Sequence, residues 1–198
     1  MIEAYIRPPY QRFLVNPAAK ALKNKISPNQ LTLLSGIVGC LILPCLYFGA
    51  HFFAIMLLLL SGYLDTLDGT LARLTQQSSD WGSVLDIISD RLVEFVVILG
   101  LWFVAPETRS FWIIMMLGSV LFCITSFLVV GIFSANASEK SFYYSPGMIE
   151  RAEAFAFFIA MIVWPDWFSI LAFLFALLVF ITAIIRLKQF YYDKLHHS

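Results

Sequence analysis

The chain has 198 residues, 60% of them hydrophobic and 13% charged, with a formal net charge of zero and a mean hydropathy of +0.82. A soluble domain is about half apolar and about a quarter charged, so this composition excludes a disordered chain and argues against a water-soluble fold. Zero net charge gives no reason to expect a nucleic-acid partner, and Cys40, Cys45 and Cys123 fall inside apolar runs without the spacing of a zinc site.

The chain opens on a mixed segment in which Arg7, Arg12, Lys20, Lys23 and Lys25 alternate with Tyr5, Ile6, Phe13, Leu14, Val15 and Leu22. That pattern fits an interfacial segment lying on anionic headgroups, and equally a solvated basic tail; Asn16-Pro17 can start a short helix in it. A helix needs about 20 apolar residues to cross a bilayer, and six stretches qualify: 29–48, 52–74, 82–104, 110–134, 148–164 and 168–187. Ser27-Pro28-Asn29 reads as a helix start, and Gly49 with His51, Ala105 to Thr108, and Pro165-Asp166 read as breaks. The expected fold is therefore all-α: a polytopic membrane protein of six transmembrane helices behind an N-terminal cytoplasmic segment. It forms a single domain over 1–198, with 1–28 juxtamembrane and 29–190 the six-helix bundle.

Of the 13 Lys and Arg residues, only Arg109 falls on the opposite side of such a bundle from the rest. By the positive-inside bias, both termini are cytoplasmic. Trp102, Trp112, Trp164 and Trp167 then mark the outer interface, and Trp81, Tyr143 and Tyr191 the inner one. An inner membrane of a bacterium or archaeon is the expected location.

The second and third stretches carry charge. Asp65 and Asp68 lie three residues apart, and Asp86 and Asp90 four apart, so each pair shares a helix face. Cutting the second helix at Asp65 would leave it too short to span, which keeps that carboxylate inside the membrane helix. The polar connection 75–80 is short, so the two helices are expected to be antiparallel neighbours, with the four carboxylates on the order of 6–12 Å from the cytoplasmic ends at helical rise. Four such groups cannot all stay ionised unaided. All-oxygen ligands suit Mg²⁺ or Mn²⁺, one or two ions, which in turn take substrate phosphates as ligands. Gly69, Ala72 and Gly82 admit either a ligand or a packed helix. Arg73, beside the aspartates, favours phosphate contact over snorkelling to the headgroups.

Residues 65–90 read DTLDGTLARLTQQSSDWGSVLDIISD. This resembles the signature of the CDP-alcohol phosphotransferases, D-x2-D-G-x2-A-R-x8-G-x3-D-x3-D, at every fixed position: Asp65, Asp68, Gly69, Ala72, Arg73, Gly82, Asp86 and Asp90. SPNQLT at 27–32 resembles that family's first-helix start, and PGMIER at 146–151 the start of the fifth helix in members that make inositol-phosphate lipids. The resemblance implies a dimeric six-helix bundle in which Asp65, Asp68, Asp86 and in part Asp90 bind metal and Asp90 is the general base. Asn29, Asp65, Asp68, Gly69, Ala72, Arg73 and Gly82 would form the CDP site. The donor would be CDP-diacylglycerol or a CDP-linked ether lipid, and CMP the product.

The acceptor is expected to be a small alcohol, with a phosphorylated polyol favoured because Arg91, Lys140 and Arg151 gather cations near the mouth of the site. Glu94 is a further candidate for that pocket. The stretch 134–140 lacks the arginines usual in inositol-phosphate members, which leaves serine, inositol or glycerol in play. The alternative within the fold uses CDP-choline or CDP-ethanolamine with diacylglycerol as acceptor. A cation transporter would hold its carboxylates near mid-bilayer, and a metal-dependent prenyltransferase would need a longer bundle; both fit less well.

Overall fold

The computed structural model describes residues 8–133 and 151–197, and every regular element among them is helical. Lys140, Tyr143 and most of PGMIER lie outside the described residues. A π-helical turn, Gln11–Val15, leads into α1 (Asn16–Leu22), with Pro17 in the first turn, where its missing N–H costs nothing. Then come α2 (Pro28–Cys40), α3 (Ile42–Tyr47), α4 (His51–Thr75), α5 (Asp80–Val104), α6 (Pro106–Phe133), α7 (Arg151–Val163), a 3-10 turn at Pro165–Trp167, and α8 (Phe168–His197). The chain forms two compact units, 1–106 and 107–198.

Local chemistry explains the boundaries. Ser27 and Gln30 form a reciprocal capping box on α2: Gln30 N–H donates to Ser27 Oγ and Ser27 N–H to Gln30 Oε1. The expected continuous first helix breaks at Leu41 instead. Pro44 has no N–H to offer Cys40, and its ring crowds that carbonyl. Gly49 adopts φ +72° in the turn that reverses the chain into α4. Gln76 closes α4 in the left-handed region, with Gln77 N–H donating to the Ala72 carbonyl, and Ser79 Oγ caps α5 by accepting from Gly82 N–H. The last helix continues past the expected 187 to His197.

In the first unit α2 is the hub. Ser35 faces α4: its hydroxyl donates to the Ser61 carbonyl at 2.9 Å, and Ser61 returns a bond to the Ser35 carbonyl at 3.0 Å. Gly36 and Gly39 face α5; a Cβ on Gly36 would lie 2.7 Å from Ser89 Oγ, and one on Gly39 2.3 Å from Val93 Cγ2. Gly100 meets Leu46 in the same way. The paired positions rise together from 36 to 46 and from 89 to 100, so α2–α3 and α5 run parallel. Leu31 clusters with Leu67 while Ser35 meets Ser61, so α4 runs antiparallel to α2.

The aspartate helices α4 and α5 are therefore antiparallel, as expected, and their carboxylates meet, but their extensive packing is on α2 rather than on each other. Small side chains on two faces of one helix let both neighbours come close.

The N-terminal segment docks on this unit. Val15 and Ala19 are fully buried with Leu31, Leu67 and Leu71, while Phe13 and Leu14 stay exposed. Tyr10 meets Tyr63 edge to face, and the Tyr63 hydroxyl donates to the Leu14 carbonyl. Burial pushes the Tyr10 phenol above its ordinary value; a hydrogen bond with Thr66 opposes this, and Tyr63 and Asp65 add to it.

In the second unit Arg109 lies over the Phe168 ring, Trp112 meets Phe173 edge to face, Phe122 stacks on Phe180, and Arg186 Nη1 donates to the Cys123 carbonyl. Both series ascend, so α6 and α8 run parallel, and the segment holding α7 must return the chain between them.

The chain is an integral membrane protein. Among the described residues, four helical segments are long and apolar enough to cross a bilayer: Pro28–Tyr47, His51–Thr75, Pro106–Phe133 and Pro165–Asp193. Large apolar side chains such as Ile37, Phe52, Phe111, Ile114, Ile132 and Ile170 are more than half exposed on them, as lipid contact requires. The other two expected spans differ in kind. α5 has the length of α4 but carries Asp86, Asp90, Arg91 and Glu94, and 13 residues of α7 are described.

Candidate metal and nucleotide site

Asp65 and Asp68 project from the second half of α4, and Asp86 from the second turn of α5. Each offers one carboxylate oxygen, and the three oxygens lie within 4.8 Å of one another. Asp68 is 5% exposed and its Oδ2 is buried without a hydrogen-bond partner. A buried anionic oxygen is normally paired. Three carboxylates converging on an unpartnered oxygen are the donor set of a hard divalent cation, so these residues fit Mg²⁺ or Mn²⁺. Asp90, one turn beyond Asp86 on α5 and half-buried, is not among the three that converge.

The remaining motif residues surround this cluster in the same unit. Arg73 lies two turns after Asp65; its Nη2 donates to Thr70 Oγ1 at 3.3 Å, and its Nη1 lies 3.6 Å from where a Cβ on Gly69 would stand. Gly69 thus leaves the space below the guanidinium free of a side chain. Ala72, half-buried, precedes it. At the start of α5, a Cβ on Gly82 would come within 3.2 Å of both Asn29 Oδ1 and Ser79 Oγ, so Gly82 keeps the first turns of α2 and α5 together. The residues expected to contact CDP are thereby gathered from three helices.

Arg91 and Glu94 are committed to each other: Arg91 Nη1 donates to Glu94 Oε2 at 2.7 Å. Glu94 is 7% exposed, and the ion pair neutralises a carboxylate that burial would otherwise penalise. Arg151 opens α7 in the second unit, with its guanidinium 5.3 Å from the Phe155 ring centre. Lys140 lies outside the described residues.

Sequence reasoning missed several contributors. Ser35, Gly36 and Gly39 hold α4 and α5 at the separation at which their carboxylates meet. The signal was present as small residues at helical spacing, S-G-x-x-G at 35–39. Gln11 reaches Thr70 from the N-terminal segment, which nothing in the sequence announces.

Residues 25–185 match the family described as CDP-alcohol phosphatidyltransferase. An inner membrane protein of Escherichia coli (strain K12), YnjF, is 31% identical over 96% of this chain and 96% of its own length. A phosphatidylinositol phosphate synthase of Corynebacterium glutamicum is 30% identical over 77% of this chain and 70% of its own. Among solved structures, the phosphatidylinositol phosphate synthase of Mycobacterium tuberculosis is similar in fold, at 24% identity and a TM-score of 0.65. Its complex with CDP-DAG and its complex with manganese and citrate each cover 90% of this chain, which spans 94% and 89% of those chains.

Proposed function

The chain belongs to the CDP-alcohol phosphatidyltransferase family, and we propose from that premise that it transfers a phosphatidyl group from CDP-diacylglycerol, or the equivalent group from a CDP-linked ether lipid, to a small hydroxylated acceptor, with release of CMP. The observation that carries this reading is the convergence of Asp65, Asp68 and Asp86 around an unpartnered Asp68 oxygen, beside Gly69 and Arg73. These aspartates, with Asp90 in part, hold one or two Mg²⁺ or Mn²⁺ ions. When bound, the cation offsets charge on the diphosphate and on the departing phosphate.

The chain's own groups do the rest. Arg73 takes a donor phosphate above Gly69, and Asn29, Ala72 and Gly82 shape the cytidine end. Asp90 accepts the proton of the acceptor hydroxyl. The new oxygen–phosphorus bond forms as the bond to CMP breaks.

We favour a phosphorylated polyol as acceptor, because relatives of this chain are named phosphatidylinositol phosphate synthases and the sequence carries the cations Arg91, Lys140 and Arg151. The stretch SANASEK at 134–140 is poor in arginine and supports the competing outcome, an uncharged or zwitterionic acceptor. Six crossings are supported by α5, which equals α4 in length, and by a family match over residues 25–185. In this reading both units form one membrane domain with cytoplasmic termini and active site. The N-terminal segment lies on the inner leaflet, Phe13 and Leu14 toward lipid, and the enzyme is a homodimer.

The test is CMP release by purified protein with Mg²⁺ and CDP-diacylglycerol, against inositol phosphate, glycerol phosphate, inositol, glycerol and serine. Release only with unphosphorylated alcohols overturns the acceptor assignment. Turnover only of CDP-choline or CDP-ethanolamine with diacylglycerol overturns the donor assignment.

A further inference from the structure

We propose that Gln11, acting through Thr70, positions Arg73, so that the N-terminal segment is part of the donor site. Thr70 occupies a position that the signature leaves unspecified, yet its hydroxyl bonds three other residues, two on α4 and one in the N-terminal segment. It donates its one proton to the Thr66 carbonyl at 2.8 Å. Both lone pairs are then left to accept, and they do: from Gln11 Nε2 at 2.7 Å and from Arg73 Nη2 at 3.3 Å. The Gln11 amide gives its other proton to Asn16 Oδ1 at 3.1 Å, so its orientation is fixed by the start of α1. Thr70 itself is 8% exposed.

Arg73, by contrast, is exposed at the end of a long flexible stem, which ordinarily samples many rotamers. Anchoring Nη2 on Thr70 is what leaves Nη1 above Gly69. Gln11 cannot drift, because Val15 and Ala19 are fully buried and Tyr63 bonds the Leu14 carbonyl. The arrangement makes Gln11 and Thr70 positioning residues; neither needs to touch the donor.

This inference rests on the reading of Arg73 as a donor-phosphate contact, and the test separates the two. Affinity for CDP-diacylglycerol is measured on the full-length protein in detergent with Mg²⁺, for Gln11→Ala, Thr70→Val, Thr70→Ser and Arg73→Ala, and for Thr70→Val combined with Arg73→Ala. Gln11→Ala and Thr70→Val are expected to weaken donor binding about fivefold, the scale of one ordinary hydrogen bond. Mg²⁺ affinity should be unchanged, and Thr70→Ser, which keeps the hydroxyl, should bind like the parent. In the Arg73→Ala background Thr70→Val should add nothing. Wild-type donor affinity in both Gln11→Ala and Thr70→Val overturns the proposal, as does a further loss from Thr70→Val when Arg73 is already gone. If Thr70→Val does not fold, Gln11→Ala and its combination with Arg73→Ala decide by the same criteria. Unchanged donor affinity in Arg73→Ala would instead overturn the assignment of Arg73.

Discussion

Replacing Asp68 by Asn should make the metal-free protein more stable and the metal-loaded protein less so. The three converging carboxylate oxygens lie within 4.8 Å of one another. At that distance two like charges repel by roughly 3.5 kcal/mol at an effective dielectric constant near 20. Asp68 takes part in two of the three pairs. Salt and the half-exposure of Asp65 and Asp86 reduce this, so a gain of about 1–3 kcal/mol is a fair expectation. The substitution breaks no hydrogen bond at Oδ2, which has none, and a neutral amide costs less to bury than the carboxylate it replaces.

Mg²⁺ at a hundred times its dissociation constant should stabilise the parent by about 2.7 kcal/mol, and the Asp68→Asn variant hardly at all. Each kcal/mol moves Tm by about 2–4 °C for a chain of this size. Cys40, Cys45 and Cys123 are free and partly buried in helices, so a thiol-reactive dye reports unfolding in detergent. The order of the two proteins in EDTA should reverse in excess Mg²⁺. An unmoved parent transition on adding Mg²⁺, or a variant that melts below the parent in EDTA, would refute the carboxylate cluster as a cation site.

Exhaustive chelation should abolish turnover, with recovery on Mg²⁺ or Mn²⁺; CMP release in excess chelator would count against it. Asp90→Asn should lose turnover by at least ~100-fold, the lower range for a general base, while retaining CDP-diacylglycerol binding, and a near-normal rate would remove Asp90 from that role. Gly39→Ala drives a Cβ to 2.3 Å from Val93 Cγ2, which should cost about 1–3 kcal/mol by overpacking and weaken Mg²⁺ activation. Val93→Ala should restore both, and a Gly39→Ala protein as stable and as Mg²⁺-responsive as the parent would show that α2 is not the spacer argued above.

How much of this was legible depends on whether the information is local. The aspartates announce themselves because ionised groups inside apolar runs have no ordinary structural use, and their three- and four-residue spacings fix a face without knowledge of any neighbour. Gly69 and Arg73 are legible for the same reason: both belong to one helix turn. The separation of α4 and α5 is different. It is set by Ser35, Gly36 and Gly39, which lie on another helix, and a stripe of small residues does not say which neighbours it will face. A short polar connection suggested that the two aspartate helices touch. In the folded unit the tight turn coexists with a helix packed against both, and the carboxylates converge between α4 and α5. Gln11 shows the limit most plainly. A glutamine in a basic, mixed segment carries no pattern, and its value to the site comes only from where docking of Val15 and Ala19 puts it. The residues that perform chemistry are constrained by their own spacing, whereas those that position them are constrained by tertiary packing, so a sequence read alone reveals the first set and hides the second.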